Sequence, residues 1–231
     1  DRVSWWENNG SESFTEHNIS TNADEVQKVF AIDLDEDGDM DVLSASQNDY
    51  EIVWYENDGF QNFTTHNIDS DPTSDGAVCL FVIDLDQDGD IDILSKFIYG
   101  SNKVAWYEND GSENFTENVI DNTSSDEDSD IYATDLDNDG DVDIIAASGE
   151  QSIIAWYENN GSQSFTKNDL SDSGPFAHYS RAIFVVDLDR DRQLDIISVT
   201  INDKLVWYEN TTFTTWHVST SGSDSYDGSE E

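Results

Sequence analysis

Apolar residues in this chain come in short runs, not at the spacing of a helical stripe. Between Val26 and Ile68 the chain reads "KVFAIDLD", "DVLSAS", "EIVWYEND" and "NFTTHNI", rich in Val, Ile, Phe, Trp, Tyr and Thr and bounded by Gly, Asp and Asn. β-Branched and aromatic residues suit a pleated, half-buried surface, and Gly, Asn and Asp suit the turns that end it, so each run predicts a strand. No helical periodicity interrupts them.

The runs recur. Strand one carries Phe30, Phe81, Tyr132 and Phe184. Strand three carries Trp5, Trp54, Trp106, Trp156 and Trp207, each followed by an aromatic (Trp6, Tyr55, Tyr107, Tyr157, Tyr208) and then Glu-Asn. Strand four carries Phe14, Phe63, Phe115, Phe165 and Phe213, each followed by Thr. A tryptophan at the same strand position in every copy reads as packing between neighbouring sheets rather than as a sugar-stacking platform. Between strands one and two stands an acidic nonapeptide: "DLDEDGDMD" from Asp33, "DLDQDGDID" from Asp84, "DLDNDGDVD" from Asp135 and an altered "DLDRDRQLD" from Asp187, about 51 residues apart. Such a period marks a repeat architecture, and four antiparallel strands per period predict an all-β fold, a β-propeller of four-stranded antiparallel blades.

Strands three and four occur five times and strands one and two four times, which predicts four complete blades (about 26–70, 77–121, 130–170 and 181–218) and an N-terminal half blade (1–20) in one repeat domain, 1–218. The Ser-, Gly-, Asp- and Glu-rich stretch 219–231 reads as a mobile acidic tail. The half blade leaves an unpaired strand edge, so completion by other protein is expected, as a homo-oligomer or head-to-tail filament among other forms. The chain opens without Met and in mid-pattern, as a mature or trimmed product would.

Five aspartates inside nine residues repel one another unless a cation absorbs the charge. With these loops between strands one and two, the chain resembles the FG-GAP/VCBS repeat family of calcium-binding propellers, over about Val3 to Val218. The resemblance implies calcium, about three ions and at most four, held in loop one by the side chains of Asp33, Asp35, Asp37 and Asp41 and the backbone carbonyl of Asp39. It implies Asp84, Asp86, Asp88, Asp90 and Asp92 in loop two, and Asp135, Asp137, Asp139, Asp141 and Asp143 in loop three. Calcium takes six to eight oxygens at about 2.3–2.6 Å, whereas magnesium prefers a smaller octahedron with retained waters. An EF-hand begins with the same D-x-D-x-D-G but needs Glu at position twelve between helices; here that position is Ser44, Ser95, Ala146 or Ser198 between strands. The fourth loop keeps Asp187, Asp189, Asp191 and Asp195 but has Arg192 for the glycine, Gln193 for the seventh Asp and an added Arg190, so a weak or absent site is expected there, with arginine pairing to the carboxylates in place of the ion.

Composition narrows the partners. Asp and Glu number 52 against 9 Lys and Arg, a formal charge of −43, which disfavours nucleic acid and anionic membrane surfaces. No apolar run is long enough to span a membrane. The single cysteine, Cys79, lies in an apolar run and reads as a packed small hydrophobe. Sequons at Asn9, Asn18, Asn62, Asn114, Asn122, Asn160 and Asn210 read as N-glycosylation sites and point outside the cell. Phe176, His178, Tyr179 and Arg181 form a local cluster suited to an acidic sugar or a peptide, while His17, His66 and His217 show no metal-ligand spacing. With no nucleophile–base set, the expectation is a non-enzyme: an extracellular structural or adhesive propeller presenting loops to protein or glycan. The alternatives are a lectin-like module and a non-catalytic propeller attached to a polysaccharide-degrading enzyme.

Overall fold

The computed structural model describes residues 2–70, 76–98, 102–123, 130–147, 154–170, 180–200, 205–212 and 215–219. The expected tail beyond Ser219 and the Phe176, His178 and Tyr179 cluster lie outside these residues, as does the side chain of Arg181. Among the described residues every regular element is a strand, and no helix is long and apolar enough to cross a membrane.

β1 (Val3–Asn8) and β2 (Phe14–Ser20) form a two-stranded antiparallel sheet. Four four-stranded antiparallel meanders follow, each in sequential strand order. The first holds β3 (Val26–Ile32), β4 (Asp41–Ser46), β5 (Glu51–Asn57) and β6 (Phe63–Asp69). The second holds β7 (Gly76–Ile83), β8 (Asp92–Ile98), β9 (Val104–Asn109) and β10 (Phe115–Asp121). The third holds β11 (Ile131–Thr134), β12 (Asp143–Ala147), β13 (Ile154–Asn159) and β14 (Phe165–Asp169), and the fourth β15 (Ser180–Val186), β16 (Asp195–Thr200), β17 (Leu205–Thr212) and β18 (Thr215–Ser219). The arrangement is β-propeller-like.

Register repeats with the sequence. Phe30 pairs with Leu43, Leu43 with Trp54 and Trp54 with His66; Phe81, Leu94, Trp106 and Asn118 make the same row one sheet later. This row stacks the His66 ring on Trp54 at 4.5 Å, and His17 on Trp5 at 4.5 Å, so these two histidines have structural partners.

Successive residues of a strand point to opposite faces, and here both faces are covered, which is why the middle strands read as unbroken apolar runs. One cluster joins Leu34, Ala45, Ile52 and Trp54 of the first four-stranded sheet to Leu80, Ile93 and Tyr107 of the second. The next joins Leu85, Val104 and Trp106 to Ile131, Ile144 and Tyr157, and the third joins Leu136, Ala147 and Ile154 to Ile183, Val206 and Tyr208. The two-stranded sheet enters the same series, with Val3 and Ile19 against Val53, Tyr55 and Phe63. Each of the first three four-stranded sheets therefore has one face turned to the sheet before it and one to the sheet after. Trp54, Trp106 and Trp156 are packed in these seams, Trp54 and Trp106 being only 3% and 4% exposed, whereas Trp6 is 57% exposed; the free Cys79 is buried at 1%.

Polar latches cross the seams. Tyr107 donates its hydroxyl to Asp69 of the preceding sheet, and Tyr157 donates to Asp121 at 2.7 Å. Lys167 reaches the same Asp121 oxygen at 2.8 Å. Burial alone would raise the Asp121 pKa, but the hydrogen bonds from Lys167, Thr123 and Tyr157 hold it below the ordinary carboxylate value.

The second residue of each acidic loop plugs the seam to the next sheet: Leu34, Leu85 and Leu136 are 2%, 1% and 0% exposed, whereas Leu188 of the last sheet is 48% exposed. Leu85→Ala should cost about 2–5 kcal/mol, and Leu188→Ala about 0.5 kcal/mol or less in the dilute chain. Urea unfolding of the two variants checks this, and equal losses would refute the seam assignment.

Candidate metal centres

Each acidic loop is wound by its own carboxylates. The first-position Asp accepts from the backbone N–H of position six: Asp33 from Gly38 at 3.1 Å, Asp84 from Gly89 at 3.0 Å, Asp135 from Gly140 at 3.1 Å and Asp187 from Arg192 at 3.1 Å. Asp35 accepts from Asp37 N–H at 3.2 Å, and Asp37 from Asp39 N–H at 2.8 Å. These short-range bonds turn alternate side chains to the inside of the bend.

The ninth-position aspartates, Asp41, Asp92, Asp143 and Asp195, are fully buried. One oxygen of each accepts from the second loop residue (Leu34, Leu85, Leu136 and Leu188, 3.0–3.2 Å) and the other from the Asn that ends strand three (Asn57, Asn109, Asn159 and Asn210, 2.8–2.9 Å). The Asn57 side chain donates to Met40 O at 3.0 Å and accepts from Gly59 N–H at 3.2 Å, so one residue joins loop, strand and hairpin. Sequence reasoning saw the recurring Glu-Asn and assigned it no role; its repetition in all five copies was the available signal.

In loops one and three the first, third and fifth aspartates, Asp33/Asp35/Asp37 and Asp135/Asp137/Asp139, bring ligand oxygens within 4.8 Å of one another. In loops two and four the first, third and ninth do so, as Asp84/Asp86/Asp92 and Asp187/Asp189/Asp195. Ligands about 2.3–2.6 Å from one calcium ion lie within about 5 Å of each other, so the spacing fits. Asp33 Oδ1, Asp135 Oδ1 and Asp187 Oδ1 are buried without any hydrogen-bond partner. A buried, unsatisfied carboxylate oxygen is costly, and a hard cation is the partner that an all-carboxylate shell satisfies best. The equivalent oxygen in loop two, Asp84 Oδ1, accepts from Asp88 N–H at 3.0 Å instead.

The seventh-position side chains do not join these clusters. A Cβ on hairpin residues Gly111 or Gly161 would stand 2.5 Å from Oδ2 of Asp90 or Asp141, and one on Gly59 would collide with Asp39 in the same way. These carboxylates rest against the hairpin, so Asp39, Asp90 and Asp141 can serve an ion through the backbone carbonyl and not through the side chain. Burial, with the neighbouring loop aspartates, raises the pKa of Asp35, Asp86 and Asp137, and Glu56, Glu108 and Glu158, which the loop motif does not include, lie close enough to add a little to that rise. Neighbouring loops also touch: Gln87 donates to Gly140 O at 2.7 Å, and Asn138 to Gln193 Oε1 at 3.4 Å.

The FG-GAP-like repeat profile matches residues 1–44, 33–95, 97–146 and 135–198. The chain belongs to the FG-GAP-like repeat family. No curated protein sequence gives a match. Among solved structures, a lectin of Agrocybe aegerita, described by its specific recognition of non-reducing terminal N-acetylglucosamine, is similar in fold with a TM-score of 0.62 at 18% identity. The likeness covers 94% of this chain and 60% of the lectin chain, so the present chain matches less than two thirds of that chain's length.

The divergent fourth FG-GAP-like loop keeps the geometry of the others. Position six has φ of 99°, 108° and 100° in Gly38, Gly89 and Gly140 and 78° in Arg192, closer to the left-handed well open to ordinary residues. A Cβ on any of the three glycines would meet nothing within 4 Å, so the cost of Arg192 is backbone strain rather than a clash. Among the described residues neither Arg190 nor Arg192 forms an ion pair with a loop carboxylate, so the expected substitution of arginine for the ion does not form. One sequon also needs correction. Asn9, Asn18, Asn62, Asn114, Asn122 and Asn160 are exposed, but Asn210 is 4% exposed with its side-chain amide donating to Leu194 O at 3.4 Å, because it is the counterpart of Asn57 and not of the hairpin sequons.

Burial raises the carboxyl pKa of Asp41 against the N–H bonds from Asn57 and Leu34 that lower it. The same contest carries Asp92 up to about 6 and Asp143 up to about 7, from an ordinary 3.8. A raised folded pKa means that the metal-free native state binds protons more tightly than the unfolded chain, so its stability falls as pH rises from about 4 to about 7. In excess chelator the melting temperature should therefore rise as pH is lowered from about 7 to 5. In saturating calcium this gain should shrink or reverse, since ligands must be deprotonated. A pH series of melting curves with and without chelator checks both signs.

Proposed function

We propose that this chain is a calcium-loaded, non-catalytic recognition module of the cell exterior, an adhesive scaffold whose ligand is a glycan. The observation that carries the calcium reading is the set of four aspartate clusters, three of them with a buried carboxylate oxygen that nothing in the protein satisfies. Calcium, when bound, would supply the positive charge that the carboxylate oxygens of these loops coordinate. The chain's own residues do the rest: the ninth-position aspartates fix the loop on its sheet, and the first-position aspartates close the bend. The exposed sequons and the acidic surface fit an exterior setting. A non-catalytic role is supported by the use of His17 and His66 in stacking and in contacts to Glu7 and Glu56.

The glycan reading rests on a groove of about 500 Å³ between the second and third four-stranded sheets, lined by Asp86, Trp106, Glu108, Asn118, Gln163 and Phe165 among others. Carboxylate and amide groups suit sugar hydroxyls, and the half-buried Phe165 ring with the exposed Val119 gives apolar surface for one face of a pyranose ring, while Trp106 forms the closed floor of the groove. Asp86 belongs to a metal cluster and to the groove, so an ion there would order the wall that a sugar meets. The recognition of N-acetylglucosamine by the similar lectin supports this class of ligand.

Calorimetric titration of the chelated chain should give sites of similar affinity in loops one to three and a weaker one in loop four, where Arg190 and Arg192 add positive charge and position six is strained, with Asp137→Ala removing one of the three stronger sites. Chelation should lower the melting temperature, because ligand binding to the native state alone adds RT ln(1 + [L]/Kd) to stability. An unchanged melting temperature in chelator would overturn the calcium reading. A glycan array probed with and without calcium tests recognition: calcium-dependent signal lost in Asn118→Ala supports the groove, and a blank array in calcium refutes the glycan reading.

A further inference from the structure

At position four of each acidic loop the backbone is left-handed, with φ of 59°, 62°, 62° and 70° at Glu36, Gln87, Asn138 and Arg190. In loops two and three the side chain at this position leaves its own loop for the next one. The Gln87 amide donates to Gly140 O at 2.7 Å, across two sheets, and the Asn138 amide donates to Gln193 Oε1 at 3.4 Å. Asn138 is one methylene shorter than Gln87 and makes the longer bond, to a side chain instead of to backbone. Glu36 carries a carboxylate, which has no proton to donate, so loop one lacks this bridge to loop two.

Both ends of the Gln87 bridge are tied to candidate ligands. The N–H of Asp88, on the peptide that leaves Gln87, donates to Asp84 at 3.0 Å and to Asp86 at 3.3 Å. Asp84 and Asp86 are two of the three carboxylates whose oxygens converge in loop two. At the other end Gly140 N–H donates to Asp135 at 3.1 Å. The peptide whose carbonyl Gln87 holds gives its own N–H, on Asp141, to Asp139 at 2.9 Å. Asp135 and Asp139 belong to the loop-three cluster, where Asp135 Oδ1 is buried without a hydrogen-bond partner. An unbroken run of hydrogen bonds therefore joins one cluster to the other.

We propose that Gln87 couples the cation sites of loops two and three, an ion in either loop raising the affinity of the other about twofold to tenfold, the change that one net hydrogen bond supplies. Resting on the calcium reading of the loops, this coupling makes two of the sites fill together. An ion that draws Asp84 and Asp86 inward fixes the peptide after Gln87 and with it the root of the amide side chain. The amide then holds the Gly140–Asp141 peptide in the orientation that places Asp135 and Asp139, so the second ion meets a loop already ordered. Linkage makes the effect equal in both directions. Gln87 contributes no ligand atom and acts as a positioning residue. Repulsion between ions in neighbouring loops has the opposite sign, so positive coupling is the signature of the bridge.

The test is a calcium titration of the chelated full chain carrying isotope-labelled glycine, followed by magnetic resonance. Gly38, Gly89 and Gly140 each donate an N–H to the first aspartate of their own loop, so their amide signals report loops one, two and three separately. Asp86→Asn keeps the shape of loop two and weakens its site; it should raise the calcium midpoint of Gly140 about twofold to tenfold and leave that of Gly38 in place. Gln87→Ala, a neutral change at an exposed residue, should bind the same number of ions and raise the Gly140 midpoint by a similar factor. Combining the two substitutions should give no further rise, because the bridge is already gone. Should Asp86→Asn lose the fold, seen as collapsed amide dispersion before calcium is added, the Gln87→Ala shift decides by itself. A Gly140 midpoint that Gln87→Ala leaves in place overturns the coupling and leaves the calcium reading standing, as does an Asp86→Asn effect undiminished in the double variant. Glycine signals that ignore calcium altogether overturn both.

Discussion

The buried aspartate at the ninth position of each loop is the constraint on which the other features rest. A carboxylate placed fully inside a protein is unfavourable unless its oxygens are engaged, and here each oxygen is held by a backbone N–H from a different element. Those two bonds fix where the loop begins, where strand three ends and how the hairpin beyond it is set. The apolar loop residue is driven into the seam by the same anchor, since the N–H that binds the aspartate belongs to the leucine that fills the gap. Metal binding and sheet packing therefore share one set of residues.

The repeat, its strands and its loops were legible in the sequence because each has a local cause. Alternation, turn residues and the aspartate spacing all act within a few positions, and the period multiplied every signal four or five times. The direction of a side chain was harder to read. Asp39 looks like its neighbours in sequence, but it leans on the hairpin because Gly59 leaves room there. Arg192 looks incompatible with a tight bend, yet the bend is open on the side where its Cβ lies. Asn210 carries a sequon only because the fourth hairpin is short and Thr follows the structural asparagine. Each of these depends on what stands opposite in space, which spacing along the chain does not encode.

Both faces of nearly every sheet are apolar, and this accounts for a composition that combines heavy acid with many aromatics. The charge is concentrated in the loops, while the seams hold Tyr55, Tyr107 and Tyr157, Trp54 and Trp106, and Leu34, Leu85 and Leu136. The seams are not purely apolar: the Tyr107–Asp69 and Tyr157–Asp121 latches select one partner sheet and one register. A greasy interface alone would tolerate sliding, and directed hydrogen bonds at its edge remove that freedom.

The repeat recognised in the sequence is out of step with the sheets. The match over residues 97–146 takes the last two strands of one sheet and the first two of the next, and so contains most of the seam between Val104, Trp106, Ile131 and Ile144. A duplication of such a unit inserts a ready-made joint rather than a loose plank. Lengthening or shortening by whole units leaves every remaining joint matched, so the number of sheets can drift in evolution without the interior ever having to be redesigned.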